Sequence, residues 1–159
     1  MRSSLWTTAI LTCILSVPQH RGVAQVTDTA STSPPTTLAR VYTQVQAGAG
    51  RNLYLQSCRS CHTPGELAGD PFWGKWVGKT VADLFSYLRN EMPKDNPGSF
   101  GDEDYANVTA YLLQLNAMPA GERAMAADST SLAKIRITKA DTVKQAETTK
   151  ETTKKRTAP

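Results

Sequence analysis

Along residues 46 to 116 the apolar positions recur at three- and four-residue steps, the spacing of helices. Between Gln46 and Ser57, Ala47, Gly50, Leu53 and Tyr54 line up as a narrow stripe, which predicts a first helix. From about Val81 to Asn90, the residues Val81, Leu84, Phe85 and Leu88 share one face. Thr80 and Asp83 stand in capping-box register before that segment, and Pro93 ends it soon after. A third helix is predicted from near Asp102 through YANVTAYLLQLN, with Tyr105, Val108, Leu112 and Leu115 on its apolar side. Asp102, Glu103 and Asp104 crowd its start, where the helix dipole favours negative charge. The competing strand period is confined to a short alternation at Ile135 and Ile137. The pattern therefore predicts an all-α domain built on three main helices.

The flanking segments are different in kind. MRSSLWTTAILTCILSVPQHRGVAQ has Arg2 at its start, an uncharged apolar run from Leu5 to Val17, and small residues at Gly22-Val23-Ala24. That is the layout of an export signal, with cleavage expected after Ala24. An uncleaved amphipathic anchor is the alternative. The run falls short of the about 20 residues that span a bilayer, so no stable membrane span is expected after cleavage. Residues 25–46 are rich in Thr, Ser and Pro and read as a flexible leader. The domain proper is placed at 47–119, a strap over its surface at 120–138, and a disordered basic tail at 139–159, ending in KETTKKRTAP.

Charge follows these divisions. The 159-residue chain has a formal charge of +4. Between 47 and 119, however, six basic residues face eight acidic ones, leaving −2. The positive charge belongs to the tail rather than the fold. A solvated tail is the reading adopted, and export argues against nucleic acid as a partner.

Removing residues 1–24 takes Cys13 and His20 with it and leaves Cys58, Cys61 and His62, all within the stretch CRSCH. Several chemistries use CxxC followed by His. A dithiol redox switch normally follows a strand in a βαβ setting, whereas a helix precedes this one. Structural zinc needs four ligands, and the exported chain offers no further Cys or His, so only a carboxylate or water could complete the set. A plain disulfide, which an oxidising compartment allows, leaves His62 without a role. Covalent attachment of c-type haem uses all three residues. Each thiol adds to one vinyl group of the porphyrin, and His62 gives its imidazole to the iron from below.

A second axial ligand cannot be another histidine once the signal is gone. A thioether is the natural partner, since it favours ferrous iron and raises the potential. Met92 lies where the second helix meets Pro93, ahead of the turn-rich PKDNPGSF. Met118, also followed by proline, and Met125 are the other candidates.

Gly50, Tyr54, Cys58, Cys61, His62, Met92-Pro93 and the helix around Tyr105 to Leu115 together resemble class I monohaem cytochrome c. FWGKWVGKTVADLFSYLRNEMPKDNPGSF is similar to the small cytochrome c domains found beside or fused to periplasmic dehydrogenases, some of them quinoproteins. The resemblance covers about residues 47–120 and continues weakly through PAGERAM and SLAKIRI. It implies a small cytochrome c-like domain around one covalently attached haem c. It also implies that Gly50 lets the first helix approach the last, with Tyr54 packing on Tyr111 or Leu112. Trp76 is implied as an indole N–H donor to a haem propionate, with Trp73 as the alternative. Two positions depart from the family pattern. Gly65 stands where a proline commonly supplies the carbonyl that orients the histidine, and Gly101 stands where Ser or Thr commonly caps the last helix.

With His62 and Met92 both on the iron, substrate chemistry at the metal is not expected, so the chain reads as an electron carrier rather than an enzyme. The expected location is the periplasm. The expected partners are a periplasmic dehydrogenase as donor and a terminal oxidase or other cytochrome as acceptor. Two rivals stand beside this. One is a haem-c enzyme or sensor, peroxidase-like or gas-binding, with a displaceable sixth ligand. The other is a cytochrome subunit permanently bound to a dehydrogenase.

Overall fold

The computed structural model describes residues 34–141. The expected signal peptide, the first part of the leader and nearly all of the basic tail lie outside the described residues. Among the described residues five helices follow in order: α1 (Gln44–Ser57), α2 (Asp70–Trp76), α3 (Val81–Glu91), α4 (Asp102–Leu115) and α5 (Ser129–Leu132). Short 3-10 turns occupy Thr37–Ala39 and Pro64–Leu67. Among the described residues there is no strand beyond isolated bridges. None of their helices is long and apolar enough to cross a membrane.

Each long helix starts where its sequence supplies a start. The Thr43 hydroxyl accepts the Gln46 N–H at 3.1 Å and opens α1. Before α3 the capping box is complete: Asp83 N–H donates to Thr80 Oγ1 at 3.2 Å, and Thr80 N–H donates to Asp83 Oδ2 at 2.8 Å. Helix α4 has no side-chain cap at Gly101, and its first turn carries Asp102, Glu103 and Asp104 instead. Helix α2 escaped the periodicity argument because it is seven residues long, with two fully inward residues, Phe72 and Trp76. Its signal was Pro71 in a first turn, where a missing N–H costs nothing.

The packing centre is the crossing of α1 on α4. Gly50 lies on the α4 backbone: a Cβ built there would be 1.8 Å from the Asn107 carbonyl oxygen. Beside it the Tyr54 and Tyr111 rings meet with centroids 5.2 Å apart. The close approach and the tyrosine contact are those expected from the sequence.

Two outer segments complete the core. Residues 35–43 differ from the flexible leader expected up to 46. Thr37 and Tyr42 are buried, and α1 already begins at Gln44. The Thr/Ser/Pro composition hid this, because one aromatic side chain and a ladder of backbone bonds do the ordering. The Tyr42 hydroxyl donates to the Met118 carbonyl at 2.5 Å. Gln46 exchanges two bonds with the Met125 backbone, donating at 3.0 Å and accepting at 2.9 Å.

After α4 the chain buries Met118, Met125, Leu132 and Ile137. The Ile135–Ile137 alternation becomes a short extended run. It bonds Pro35 and Thr37 on one side and Gly78, Lys79 and Val81 on the other, at 2.8–3.0 Å.

Candidate functional site

The turn after α1 gathers the first three candidate residues. Cys58 is the C-cap of α1, and its N–H still reaches the Tyr54 carbonyl at 2.9 Å. Its own carbonyl then accepts from Cys61 N–H at 3.2 Å and His62 N–H at 3.0 Å. One carbonyl with two donors curls residues 58–62 into a tight loop, so both thiols and the imidazole leave the chain within one turn. Neither thiol is in a disulfide. Cys58 is half-buried against the core, and that burial pushes its thiol pKa up, while Cys61 is exposed.

His62 is held by its main chain. The Tyr54 hydroxyl, in the core, donates to the His62 carbonyl at 2.6 Å. Its ring is about one-third exposed, with Nδ1 4.0 Å from Glu66 Oε2. That is too long for a hydrogen bond, and Glu66 Oε2 accepts from Thr63 N–H at 2.9 Å instead.

Met92 is the C-cap of α3 in extended conformation. Its N–H donates to the Leu88 carbonyl at 3.0 Å, and its carbonyl accepts from the Tyr105 hydroxyl at 2.8 Å. Met92 is only partly buried. Met118 and Met125 are each 4% exposed within the core. Of the three thioethers, Met92 is the one on a surface loop with its backbone anchored from below.

Trp76 closes α2 and is buried, its ring edge-on to Tyr87 at 5.4 Å. Two ammonium groups lie over the indole, Lys75 at 5.0 Å and Lys79 at 5.2 Å, and Lys75 is also 3.5 Å from the Tyr87 centroid. Trp73, the alternative, is half-buried and edge-on to Phe72.

Helix α4 links the two candidate axial residues. Tyr111 packs on Tyr54, which holds the His62 carbonyl, and Tyr105 holds the Met92 carbonyl. Tyr105 and Tyr111 are six residues apart, about 9 Å along the helix axis. Two thiols in one turn, an adjacent imidazole and a thioether outside the core are a donor set that fits a covalently attached haem. Among the described residues no group of three or more His, Cys, Asp and Glu side chains is arranged to hold a metal ion.

Sequence reasoning missed the two carbonyl-holding hydroxyls. It read Tyr54 and Tyr105 as apolar helix positions, although a buried tyrosine must find a partner for its O–H. It also missed Asn116, which ends α4 and ties down the loop before α2. Its amide donates to the Leu67 and Leu112 carbonyls at 3.0 and 2.8 Å and accepts Gly69 N–H at 3.0 Å.

Residues 45–112 match the family model for cytochrome c oxidase, cbb3-type, subunit III. No match was found among curated proteins or among solved structures. The matched stretch runs from the first turn of α1 to near the end of α4, and so contains the CRSCH turn and Met92. It is a class I monohaem cytochrome c domain, all-α, with one covalently bound haem c and a role in electron transfer between redox proteins.

Proposed function

We propose that this domain is a periplasmic carrier of single electrons, taking them from a dehydrogenase and passing them toward the respiratory chain. Cys58 and Cys61 would hold the haem by thioether bonds, and His62 and Met92 would be its axial ligands. When bound, the haem supplies a one-electron redox centre at its iron, with a potential raised by a thioether ligand.

The observation that carries the reading is the CRSCH turn, where the Cys58 carbonyl gathers the N–H groups of Cys61 and His62. Met92 supports it as the thioether outside the core. The protein's own part is orientation and exclusion of water. Tyr54 fixes the main chain of His62, and the loop after Met92 would help keep solvent and small ligands from the bound haem. With His62 and Met92 both holding its iron, the bound haem would serve electron transfer rather than chemistry on a substrate. Trp76 is proposed as a donor to a haem propionate, a carboxylate that Lys75 and Lys79 beside the indole would also favour.

The test is intact-mass analysis and a pyridine haemochrome spectrum of the chain exported from cells that have a haem-attachment system. The expected mass is that of the chain trimmed near Ala24 plus one haem, with a spectrum of two saturated vinyl positions. Cys58→Ser should leave one thioether, and the Cys58→Ser/Cys61→Ser pair none. Free thiols, or thiols joined only to each other, in the native exported protein would overturn the proposal.

A further inference from the structure

We infer that Tyr105 is a positioning residue for the sixth iron ligand, clamping the Met92 main chain to α4, with the Arg89–Asp102 ion pair as an outer tie. The inference rests on the reading of Met92 as that ligand.

A methionine side chain has three rotatable bonds and a soft, adaptable shape. Its sulfur is therefore held at one place only if its backbone is. Met92 lies one residue past the end of α3, with φ −131° and ψ 144°. A carbonyl at that position has no partner within its helix. Here the partner comes from 13 residues on, the Tyr105 hydroxyl at 2.8 Å.

Tyr105 is itself fixed. Its side chain is 2% exposed, in the first turn of α4, and its ring meets Phe100 with centroids 5.5 Å apart. Phe100 is the last side chain before the Gly101 cap, so the same tyrosine grips both ends of the Pro93–Phe100 loop. Outside, Arg89 Nε reaches Asp102 Oδ1 at 2.7 Å, joining the last turn of α3 to the first residue of α4. Both partners of that pair are about half exposed, so it contributes little by itself. The buried bond does most of the holding.

An added ligand can reach the iron on this side only when Met92 leaves. Its affinity therefore reports how readily the loop opens. The experiment uses the oxidised holoprotein and imidazole as the probe, followed by the Soret band. The near-infrared charge-transfer band of methionine-ligated ferric iron is recorded alongside. In Tyr105→Phe the near-infrared band is expected to remain, while imidazole binds about five-fold more tightly, the scale of one lost hydrogen bond. Arg89→Gln should change the affinity by less than about two-fold. Tyr42→Phe removes a buried tyrosine–carbonyl bond at Met118, outside the Met92 loop, and should leave imidazole affinity unchanged.

Met92→Ala separates the two readings. If it keeps the near-infrared band, the ligand assignment is wrong. If it loses the band while Tyr105→Phe binds imidazole as the parent does, the ligand assignment stands and the clamp is overturned. A measurement on the unmutated holoprotein guards against a Tyr105→Phe chain that does not fold. Saturating imidazole should speed amide exchange across Lys94–Gly101 and leave α1 protected, and unchanged protection in that loop would also overturn the clamp.

Discussion

Gly50 and Asn107 touch backbone to backbone: a methyl group on Gly50 would lie 1.8 Å from the Asn107 carbonyl oxygen and 2.8 Å from the Val108 nitrogen. No rotamer change relieves such a contact, because the obstacle is main chain in the middle of a 14-residue helix. Gly50→Ala should therefore push α1 off α4 and destabilise the holoprotein by about 3 kcal/mol or more. Gly48, two positions earlier, has nothing within 4 Å of its would-be Cβ. Gly48→Ala should stabilise α1 by up to about 1 kcal/mol through helix propensity. Thermal unfolding of the two variants should move in opposite directions.

The three methionines should separate cleanly by spectrum. Met118 and Met125 are enclosed in the core, and their main chains are bonded by Tyr42 and Gln46. Met118→Leu and Met125→Leu are near volume-conserving, so each should cost less than about 1.5 kcal/mol and keep the near-infrared band. Met92→Leu should abolish that band with little loss of secondary structure. Circular dichroism and near-infrared absorption on the same samples read both effects.

Much of this layout was legible in the sequence, for reasons that differ by element. The helices α1, α3 and α4 carry their own periodicity and start signals, and the Thr80–Asp83 box was readable letter by letter. The CRSCH turn needed only spacing. Helix α2 was not legible, since two inward residues in seven are too few to define a period. The order of residues 35–43 was hidden by a composition that normally means leader. Burial of Thr37 and Tyr42 depends on partners about a hundred and 76 residues away, Thr138 and Met118. The Tyr105 and Tyr54 hydroxyl bonds follow the same logic, because a periodic pattern shows which face a tyrosine joins but not which carbonyl its O–H meets.

The capping box gives α3 an acid-sensitive start. Hydrogen bonds from the Thr80 backbone and side chain hold the Asp83 carboxyl below its ordinary range. A depressed folded-state pKa contributes stability that is complete above the unfolded value of about 3.9. That contribution disappears as pH falls through the lower, folded value. Asp83→Asn should thus lower stability at neutral pH and flatten this part of the acid limb, so that parent and variant converge at low pH. Thr80→Ala should cost about 1 kcal/mol at neutral pH. Denaturant unfolding at a series of pH values measures both, and an unchanged pH slope in Asp83→Asn would remove the carboxylate from the account.

The end of the fold can be located by truncation. Ile137 is fully buried, and its N–H and carbonyl bond Lys79 at 2.8 Å and Gly78 at 2.9 Å. Arg136 bonds Pro35 and Thr37 from the opposite edge, and the Ile135 carbonyl takes the Val81 N–H at the first residue of α3. The three residues thus tie the N-terminal segment to the loop that carries α2 into α3. A chain ending at Lys139 keeps all of these bonds, and its haem spectrum and unfolding midpoint should match those of the full chain. A chain ending at Lys134 loses them together with the Ile137 side chain. The side chain alone is worth about 2–5 kcal/mol when a large aliphatic group is deleted from a core. Ile137→Ala in the full-length protein isolates that share, so the remaining difference measures the backbone tie. The loss should fall on stability and on the protection of Val81 and Thr37 amides, while the proposed iron ligands His62 and Met92 keep the haem spectrum unchanged. If the Lys134 chain unfolds at the same midpoint as the Lys139 chain, these contacts do not stabilise the domain.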